Sequence, residues 1–279
     1  MSNRYVMCAR PVSKGLFTTE PGKTLYLVVP PGVLPAPLHA VRREVWLKGL
    51  LEAAAYDWPS DDKALNYLED RHDAKKTAMQ LVSDGIHLFS KAQRPDCAIN
   101  MHLVAHSTGA YLLREAFDAA DDARLQNNAW MVSQIVFIGA DVSAGSMSGG
   151  NATSSSLYRH CSRLANYSNL HDSVLKLSNA KRVGMAPRGG RVGMPEDFPS
   201  TAVNVDCTEY FAVLKADPVV RQRDQREEIG SFNHSWQIGN RHFAQDLFET
   251  LKGDAHRNVV STRYSGKGGT LHLKVPVAV

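Results

Sequence analysis

Residues 99–117, INMHLVAHSTGAYLLREAF, decide the fold, because an apolar run leads through a turn of small residues directly into an amphipathic helix. A short, continuous apolar run bounded by a turn is typical of a buried strand, and the apolar spacing after it is typical of a helix. Ser107 stands at the turn between the two. It is either a nucleophile or an ordinary N-cap of the helix that follows.

The residues around Ser107 favour the nucleophile. Ala105 and Gly109 lie two positions before and after the serine, and both are small. A sharp strand-to-helix turn that presents a nucleophile needs small residues at these places, so that the strand and the helix can pass close to each other. Ala105 meets this steric need where glycine is more usual. The motif by itself arises easily by chance, and its position between a strand and a helix makes it specific.

Strand-like and helical patterns alternate along the rest of the chain. Alternation of this kind predicts βαβ units, hence an α/β fold with a mainly parallel central sheet and helices on both faces. The predicted strands are 5–12, 23–30, 53–58, 97–105, 131–142, 163–172 and 200–207, the last clear strand. The predicted helices are 39–55, 62–92, the segment from Ser107 onward, and 240–253, which Gly253 closes.

The domain prediction is one domain over residues 1–279, with no large lid domain. Its core spans about 23–253, residues 1–22 form an N-terminal edge-strand region, and residues 254–279 form a C-terminal extension. Two segments, 143–156 and 181–200, are rich in small or turn-forming residues and are expected to be surface excursions, the first of them mobile. Both follow strands, at the edge where α/β sheets bind ligands.

Composition excludes several classes of protein. Hydrophobic residues make up 43% and charged residues 22% of the chain, as in an ordinary globular protein. The net charge is +4, but the basic residues are mixed with acidic ones, so no nucleic-acid partner is expected. There is no apolar run of membrane-spanning length and no signal-peptide pattern, which predicts a cytoplasmic protein without a membrane span. The four cysteines are scattered and are expected to be reduced thiols.

A nucleophilic serine needs a base, and the base needs an orienting acid. With a serine on this kind of turn, the acid and then the base follow later in the chain. Asp172 follows a predicted strand at the place expected for the acid, and we favour it. Asp141 and Asp206 also end predicted strands and remain alternatives, the first one strand earlier and the second one strand later.

The expected base is His234, because it follows the last predicted strand and precedes the last predicted helix. His242 falls inside that helix, where a structural histidine is more usual. His171 precedes the favoured acid and breaks the expected order. His106 flanks Ser107 and either lines the pocket or points into solvent.

Acyl transfer also needs hydrogen-bond donors for the oxyanion. The backbone N–H of Thr108, directly after the serine, is one expected donor. The other is expected from the loop after the strand LYLVV, where Val33 is the candidate, because Pro30 and Pro31 have no N–H. The histidines and acidic residues show no metalloprotease spacing, so neither a metal nor a cofactor is expected.

Taken together and in order, several segments resemble the alpha/beta-hydrolase superfamily, and within it a little-characterised bacterial branch of esterase-like hydrolases. The most specific are AHSTG and the upstream WPS with YLED; the others are LYLVVPPG, IVFIGADVSA, NYSNLHDSVLKLS, GGRVG and NHSW, which together span about 23–250. The resemblance implies a triad of Ser107, Asp172 and His234. One departure is Pro31-Gly32, where such hydrolases usually carry His-Gly, and this leaves the shape of the oxyanion loop open.

The function implied is a serine hydrolase that cleaves small-molecule carboxylic esters through an acyl-enzyme intermediate. Amide, thioester or lactone cleavage and acyl transfer to another acceptor use the same triad and remain alternatives, because a fold does not fix a chemistry. A non-catalytic relative that binds a ligand or a partner is the alternative from a different class.

Overall fold

An eight-stranded sheet organises the computed structural model, which describes residues 25–29, 52–56, 78–79, 81–82, 102–121, 130–180, 187–228, 230–253, 255–266 and 270–276. Its strands are β1 Leu25–Val29, β2 Glu52–Tyr56, β3 His102–His106, β4 Val132–Ile138, β5 Cys161–Ser168, β6 Ala202–Asp206, β7 Arg263–Ser265 and β8 Leu271–Leu273. Their spatial order is β2-β1-β3-β4-β5-β6-β8-β7. Strands β3, β4, β5, β6 and β8 run parallel, so the predicted mainly parallel sheet is confirmed.

Helices cover both faces of this sheet. They are α1 Thr108–Ala120, α2 Ala152–Arg159, α3 Ser173–Ala180, α4 Gly189–Val192, α5 Thr208–Ala216, α6 Pro218–Asp224, α7 Phe232–Ser235 and α8 Arg241–Lys252. Successive side chains of a strand point to opposite faces. Leu103 and Ala105 of β3 therefore join the apolar cluster beneath α1, whereas Val104 joins a second cluster with residues of α5 and α8. Burial on both faces explains why β3 is apolar along most of its length.

Most predicted elements are present where the structure describes the chain. The predicted strands 23–30, 97–105, 131–142, 163–172 and 200–207 contain or overlap β1, β3, β4, β5 and β6. Helix α1 begins directly after Ser107, and α8 ends at Gly253, whose φ of 73° is the left-handed conformation of a helix C-cap. The predicted strand 5–12 and nearly all of helix 62–92 lie outside the described residues; Ala78, Met79, Leu81 and Val82 are helical.

The predicted helix 39–55 and the predicted strand 53–58 overlap, and the structure confirms the strand, because Glu52–Tyr56 form β2. The helix prediction is wrong at residues 52–55, and residues 39–51 lie outside the described part of the chain. All five β2 residues pair with β1 in antiparallel register, from Leu25 opposite Tyr56 to Val29 opposite Glu52. Three alanines in a row favour a helix by propensity. The pairing with β1 overrides that preference, as tertiary contacts often do.

The prediction that 200–207 is the last strand is also wrong. The region taken as a C-terminal extension adds β7 and β8 to the sheet, and β8 lies next to β6. Each of these strands has only three residues, which is short for a period-two signal. Leu271 and Leu273 do alternate with polar residues, and both are buried.

The segment 143–156 is not simply a surface excursion, because part of it packs into the fold. It forms a 3₁₀ turn, Ala144–Met147, and most of helix α2. Asn151 caps α2 by accepting a hydrogen bond from the backbone N–H of Thr153. Ser156 is fully buried, and its hydroxyl donates to the carbonyl oxygen of Phe117 in α1. Ser156 therefore packs against α1, where the Phe117 carbonyl oxygen accepts its hydrogen bond.

Strand β1 runs antiparallel to β3 as well as to β2. Leu25 lies opposite Ala105, and Val28 lies opposite His102. The first residue of β1 is therefore level with the Ser107 turn, and its last residue is level with the other end of β3. Val33 itself lies outside the described residues.

A buried charge network joins the C-terminal strands to the rest of the sheet. The Arg263 guanidinium of β7 donates from Nε and Nη2 to the two oxygens of Asp246 in α8, at 2.8 and 2.7 Å. Tyr167 of β5 donates its hydroxyl to the same carboxylate at 2.6 Å. The side chains of Arg263 and Asp246 are both inaccessible to solvent. Burial raises the pKa of the Tyr167 hydroxyl well above its usual value, so the phenol stays a donor.

His102, at the start of β3, predicts a pH dependence of stability. Burial lowers its pKa to about 4 from 6.5, because the charged imidazolium is poorly solvated there. Between pH 6.5 and 4, the His102 imidazole therefore binds a proton in the unfolded chain but stays neutral in the folded protein. We expect the free energy of unfolding to fall by about 3 kcal/mol between pH 6.5 and 4 on this account, and to keep this contribution above pH 6.5.

The measurement is urea unfolding at intervals of pH for the wild type and for His102→Leu. The variant should lose this part of the pH slope. His256→Leu removes an exposed histidine and serves as the control, which should keep the slope. An identical slope in His102→Leu and wild type would show that His102 titrates normally.

Candidate active site

Ser107 occupies the strained turn between β3 and α1. Its φ is 55° and its ψ is −124°, and it is the one residue other than glycine with a positive φ in the described part of the chain. A side chain in this region costs of order 1–3 kcal/mol, so the surroundings must enforce it. The Ser107 N–H donates to the carbonyl oxygen of Ile138 at 3.0 Å, and the Ser107 carbonyl accepts from the backbone N–H of Asp141 at 3.0 Å. The end of β4 therefore holds the turn.

The N-cap interpretation of Ser107 does not fit this geometry. An N-cap residue normally has extended backbone angles, and its side chain accepts a hydrogen bond from the first turn of the helix. Ser107 has neither the angles nor the side-chain bond. Its hydroxyl is not used to stabilise α1, and the residue is 8% exposed. The turn presents the hydroxyl without giving it a capping role.

His234 and Asp172 form a buried pair. His234 Nδ1 lies 2.6 Å from Asp172 Oδ2, although the two residues are 62 positions apart in the chain. Asp172 precedes α3, and its Oδ1 accepts a hydrogen bond from the backbone N–H of Leu175 at 2.9 Å. The carboxylate is thereby fixed by α3 while its second oxygen faces the imidazole. A carboxylate only accepts hydrogen bonds, so the proton of this bond lies on Nδ1.

The other ring nitrogen of His234 has no such partner. Nε2 is buried and makes no hydrogen bond with any residue that the structure describes. With the proton on Nδ1, a neutral imidazole carries its lone pair on Nε2. This nitrogen can therefore accept a proton from a neighbouring hydroxyl, and its protonation would be stabilised by Asp172 through Nδ1.

Two neighbours connect His234 to the Ser107 turn. His106, directly before the serine, has its ring centroid 4.7 Å from that of His234, and its Nε2 lies 3.2 Å from the His234 carbonyl oxygen. Gly139, directly after Ile138, lies against the His234 ring, because a Cβ on this glycine would be 3.3 Å from His234 Cε1. Its φ of 53° is also one that glycine adopts readily. The pair His234–Asp172 thus lies at the same carboxyl edge of the sheet as Ser107.

The alternative acids have other partners. Asp141 Oδ1 lies 2.9 Å from Arg188 Nε in a buried ion pair. Asp206 Oδ1 accepts from the backbone N–H of Thr208 at 2.9 Å, and Asp206 Oδ2 lies 3.7 Å from His272 Nδ1. The structure brings His234 to Asp172 and to neither of these carboxylates.

The other histidines considered from the sequence are placed differently. His242 lies in α8, as expected, and its Nε2 is 2.8 Å from the Lys274 carbonyl oxygen. Burial lowers the pKa of His242 from its usual value. His171 is exposed, with its ring 6.0 Å from that of Phe211. His106 is 1% exposed, so the expectation that it could point into solvent is wrong.

Residues 188–190 support this edge of the sheet, although the sequence predicted a surface excursion over 181–200 and GGRVG entered only through the family resemblance. Gly189 N–H donates to the Val142 carbonyl at 2.8 Å, and Gly190 N–H donates to the Ala140 carbonyl at 3.0 Å. A Cβ on Gly190 would lie 2.0 Å from the Ala140 nitrogen, so no larger residue fits there. The Gly189-Gly190 pair next to an arginine was the available signal for a close backbone approach. Residues 181–186 lie outside the described part.

Of the two expected oxyanion donors, the structure describes Thr108 but not Val33. Thr108 is the first residue of α1, where backbone N–H groups have no partner within the helix. Its N–H therefore adjoins Ser107 at the positive end of the helix dipole. Val33 belongs to a part of the chain that the structure does not describe.

The described residues contain neither a candidate metal cluster nor a candidate membrane-spanning helix. Among them, no cluster of three or more histidine, cysteine, aspartate or glutamate side chains could hold a metal ion. In the same ranges, no helix combines the length and apolar character needed to cross a bilayer. Cys161 and Cys207 are free and buried, and burial raises the pKa of both thiols, that of Cys161 to about 12.

Comparison with known proteins agrees with this architecture. No curated protein and no solved structure gives a significant match to the chain. Residues 51–193, just over half of the 279 residues, match the family described as “Alpha/beta hydrolase of unknown function (DUF900)”. This stretch includes Ser107, Asp172 and the Gly189-Gly190 pair. The chain therefore belongs to the DUF900 family of alpha/beta hydrolases.

Proposed function

We propose that this alpha/beta hydrolase is a serine hydrolase that cleaves carboxylic esters through an acyl-enzyme intermediate. The observation that carries the proposal is the strained backbone of Ser107, held at the same edge of the sheet as the buried His234–Asp172 pair. A positive φ at a non-glycine residue is costly and is characteristic of functional positions. The hydrogen-bonded imidazole and carboxylate supply the general base and its orienting acid.

In the first half of the reaction, Ser107 Oγ attacks the ester carbonyl and gives its proton to His234 Nε2. The resulting imidazolium is stabilised by Asp172 through Nδ1. The tetrahedral oxyanion accepts a hydrogen bond from the N–H of Thr108 and a second one from the loop after β1. Collapse of this intermediate breaks the ester bond, and His234 returns the proton to the leaving alcohol.

In the second half, water attacks the acyl-serine and gives a proton to His234. His234 passes this proton to Ser107 Oγ as the bond to the acyl group breaks, so that the acid product leaves and the serine hydroxyl is regenerated. We keep Val33 as the second oxyanion donor. Strand β1 ends level with His102, at the opposite end of β3 from Ser107. A donor elsewhere in the loop after β1 would serve the same chemistry.

Ser107→Ala tests the nucleophile. A fluorophosphonate probe should label the wild type stoichiometrically and should not label the variant, because the probe forms a bond with an activated serine oxygen. Intact-protein mass spectrometry measures the labelling. Ser168→Ala, a buried serine that ends β5, is the matched control and should be labelled like the wild type. Labelling that persists in Ser107→Ala, or a wild type that is never labelled, would contradict the proposal and favour a non-catalytic binding protein.

Asparagine variants of the three aspartates test the acid. Asp172→Asn should lower kcat/KM by about 10³- to 10⁴-fold, because the amide no longer fixes the productive tautomer of His234. Asp206→Asn should retain near wild-type kcat/KM. Asp141→Asn should instead lower the free energy of unfolding by about 3–5 kcal/mol, since it leaves the Arg188 guanidinium buried without its counter-charge. Ester kinetics and urea unfolding separate these effects, and wild-type kinetics in Asp172→Asn would refute its role.

A panel of nitrophenyl esters with acyl chains of increasing length identifies the substrate class. We expect hydrolysis of short-chain esters, with kcat/KM depending on acyl length. Matched thioester and anilide substrates test the two alternative leaving groups. Added alcohol or amine acceptors test acyl transfer, since a transferase forms the new ester or amide faster than the free acid. A preference for one of these alternatives would replace the ester assignment and leave Ser107 as the nucleophile.

A further inference from the structure

His106 is a buried polar residue that lies between the Ser107 turn and the His234–Asp172 pair. It ends β3 and directly precedes Ser107 in the chain. Its side chain also contacts His234. Its ring and that of His234 are 4.7 Å apart and tilted by 49°. His106 Nε2 lies 3.2 Å from the carbonyl oxygen of His234. We propose that His106 is a positioning residue, which holds the His234 imidazole in register with Ser107 through the His234 backbone.

His234 needs an external support because its own element is short. Helix α7 has four residues, and a single helical turn is too short to be stable alone. The His234 N–H donates to the Ser231 carbonyl, and Asn233 Nδ2 donates to the Ser173 hydroxyl at 3.1 Å. These bonds tie α7 to itself and to α3, but not to β3. The His106 bond connects α7 directly to the strand that carries Ser107.

The chemistry of this bond fixes its direction. A carbonyl oxygen only accepts, so His106 Nε2 carries the proton and donates. The bond therefore requires a donor at the position of Nε2 and not simply a ring of this size. Glutamine can place an amide N–H near that position, whereas leucine fills similar space without a donor. The two substitutions separate a positioning role from packing.

Two further contacts reach the His234 imidazole. Gly139 lies against His234 Cε1 and Nδ1, and Asp172 bonds to Nδ1. Gly139 also packs near the His234 carbonyl oxygen, but that is a van der Waals contact, whereas the His106 bond is a hydrogen bond to the same oxygen. A small displacement of reacting groups can cost about 100-fold in rate. Loss of the His106 bond is therefore expected to affect catalysis more than substrate binding.

The kinetic part of the test rests on the proposed esterase function. His106→Leu should lower kcat by about 100-fold and change KM little, and His106→Gln should recover most of that loss. His102→Leu is the matched control: it replaces a buried histidine at the other end of the same strand and should retain wild-type kcat. All rates are measured well below the unfolding temperature of each variant.

The spectroscopic part does not depend on any activity. The proton between His234 Nδ1 and Asp172 should give a far-downfield proton NMR signal that is absent in Asp172→Asn. We expect this signal in the wild type, His106→Gln and His102→Leu, and its loss or broadening in His106→Leu. A protein without esterase activity would refute the proposed function, and the signal would still test His106. An unchanged signal and kcat in His106→Leu, or equal losses in the leucine and glutamine variants, would overturn the positioning role.

Discussion

The backbone of Ser107 is held in its strained conformation by hydrogen bonds to the end of β4. Its N–H donates to Ile138, and its carbonyl accepts from Asp141. The turn cannot relax to ordinary angles without giving up these bonds, which continue the parallel pairing of β3 with β4. Gly139 lies between the two residues that hold the turn, and the His234 ring rests on it. One short segment after β4 therefore constrains the candidate nucleophile and the candidate base together.

The buried aspartates of this edge have separate physical roles. Asp141 faces Arg188, a guanidinium that is permanently charged, so its carboxylate already has a full counter-charge. Asp172 has only neutral partners in the described structure, namely the imidazole of His234 and the N–H of Leu175. A carboxylate without a permanent cation beside it interacts most strongly with an imidazole when that imidazole becomes charged. This difference suits Asp172 to stabilise a transient imidazolium.

Local patterns predicted the central part of the fold, and long-range contacts account for what they missed. The β3–turn–α1 unit could be predicted because its apolar spacing and small residues lie next to one another in the chain. Chain order favoured Asp172, but its hydrogen bond to His234 joins residues 62 positions apart and depends on the sheet. Helix α2 was missed because the burial of Ser156 depends on the Phe117 carbonyl of another helix. Val33 lies outside the described residues, and the catalytic roles of Ser107, Asp172, His234 and Thr108 remain predictions.

The network of Tyr167, Asp246 and Arg263 bears on where the chain can be shortened. A protein cut after Gly253 would retain every candidate site residue. It would also keep the Asp246 carboxylate on α8, the helix that follows His234, without the guanidinium that neutralises it in a solvent-free position. An uncompensated buried charge of this kind costs several kcal/mol, comparable to the whole stability of many proteins. The smallest version of this protein that keeps its site in place therefore extends past the site residues to the strand that carries Arg263.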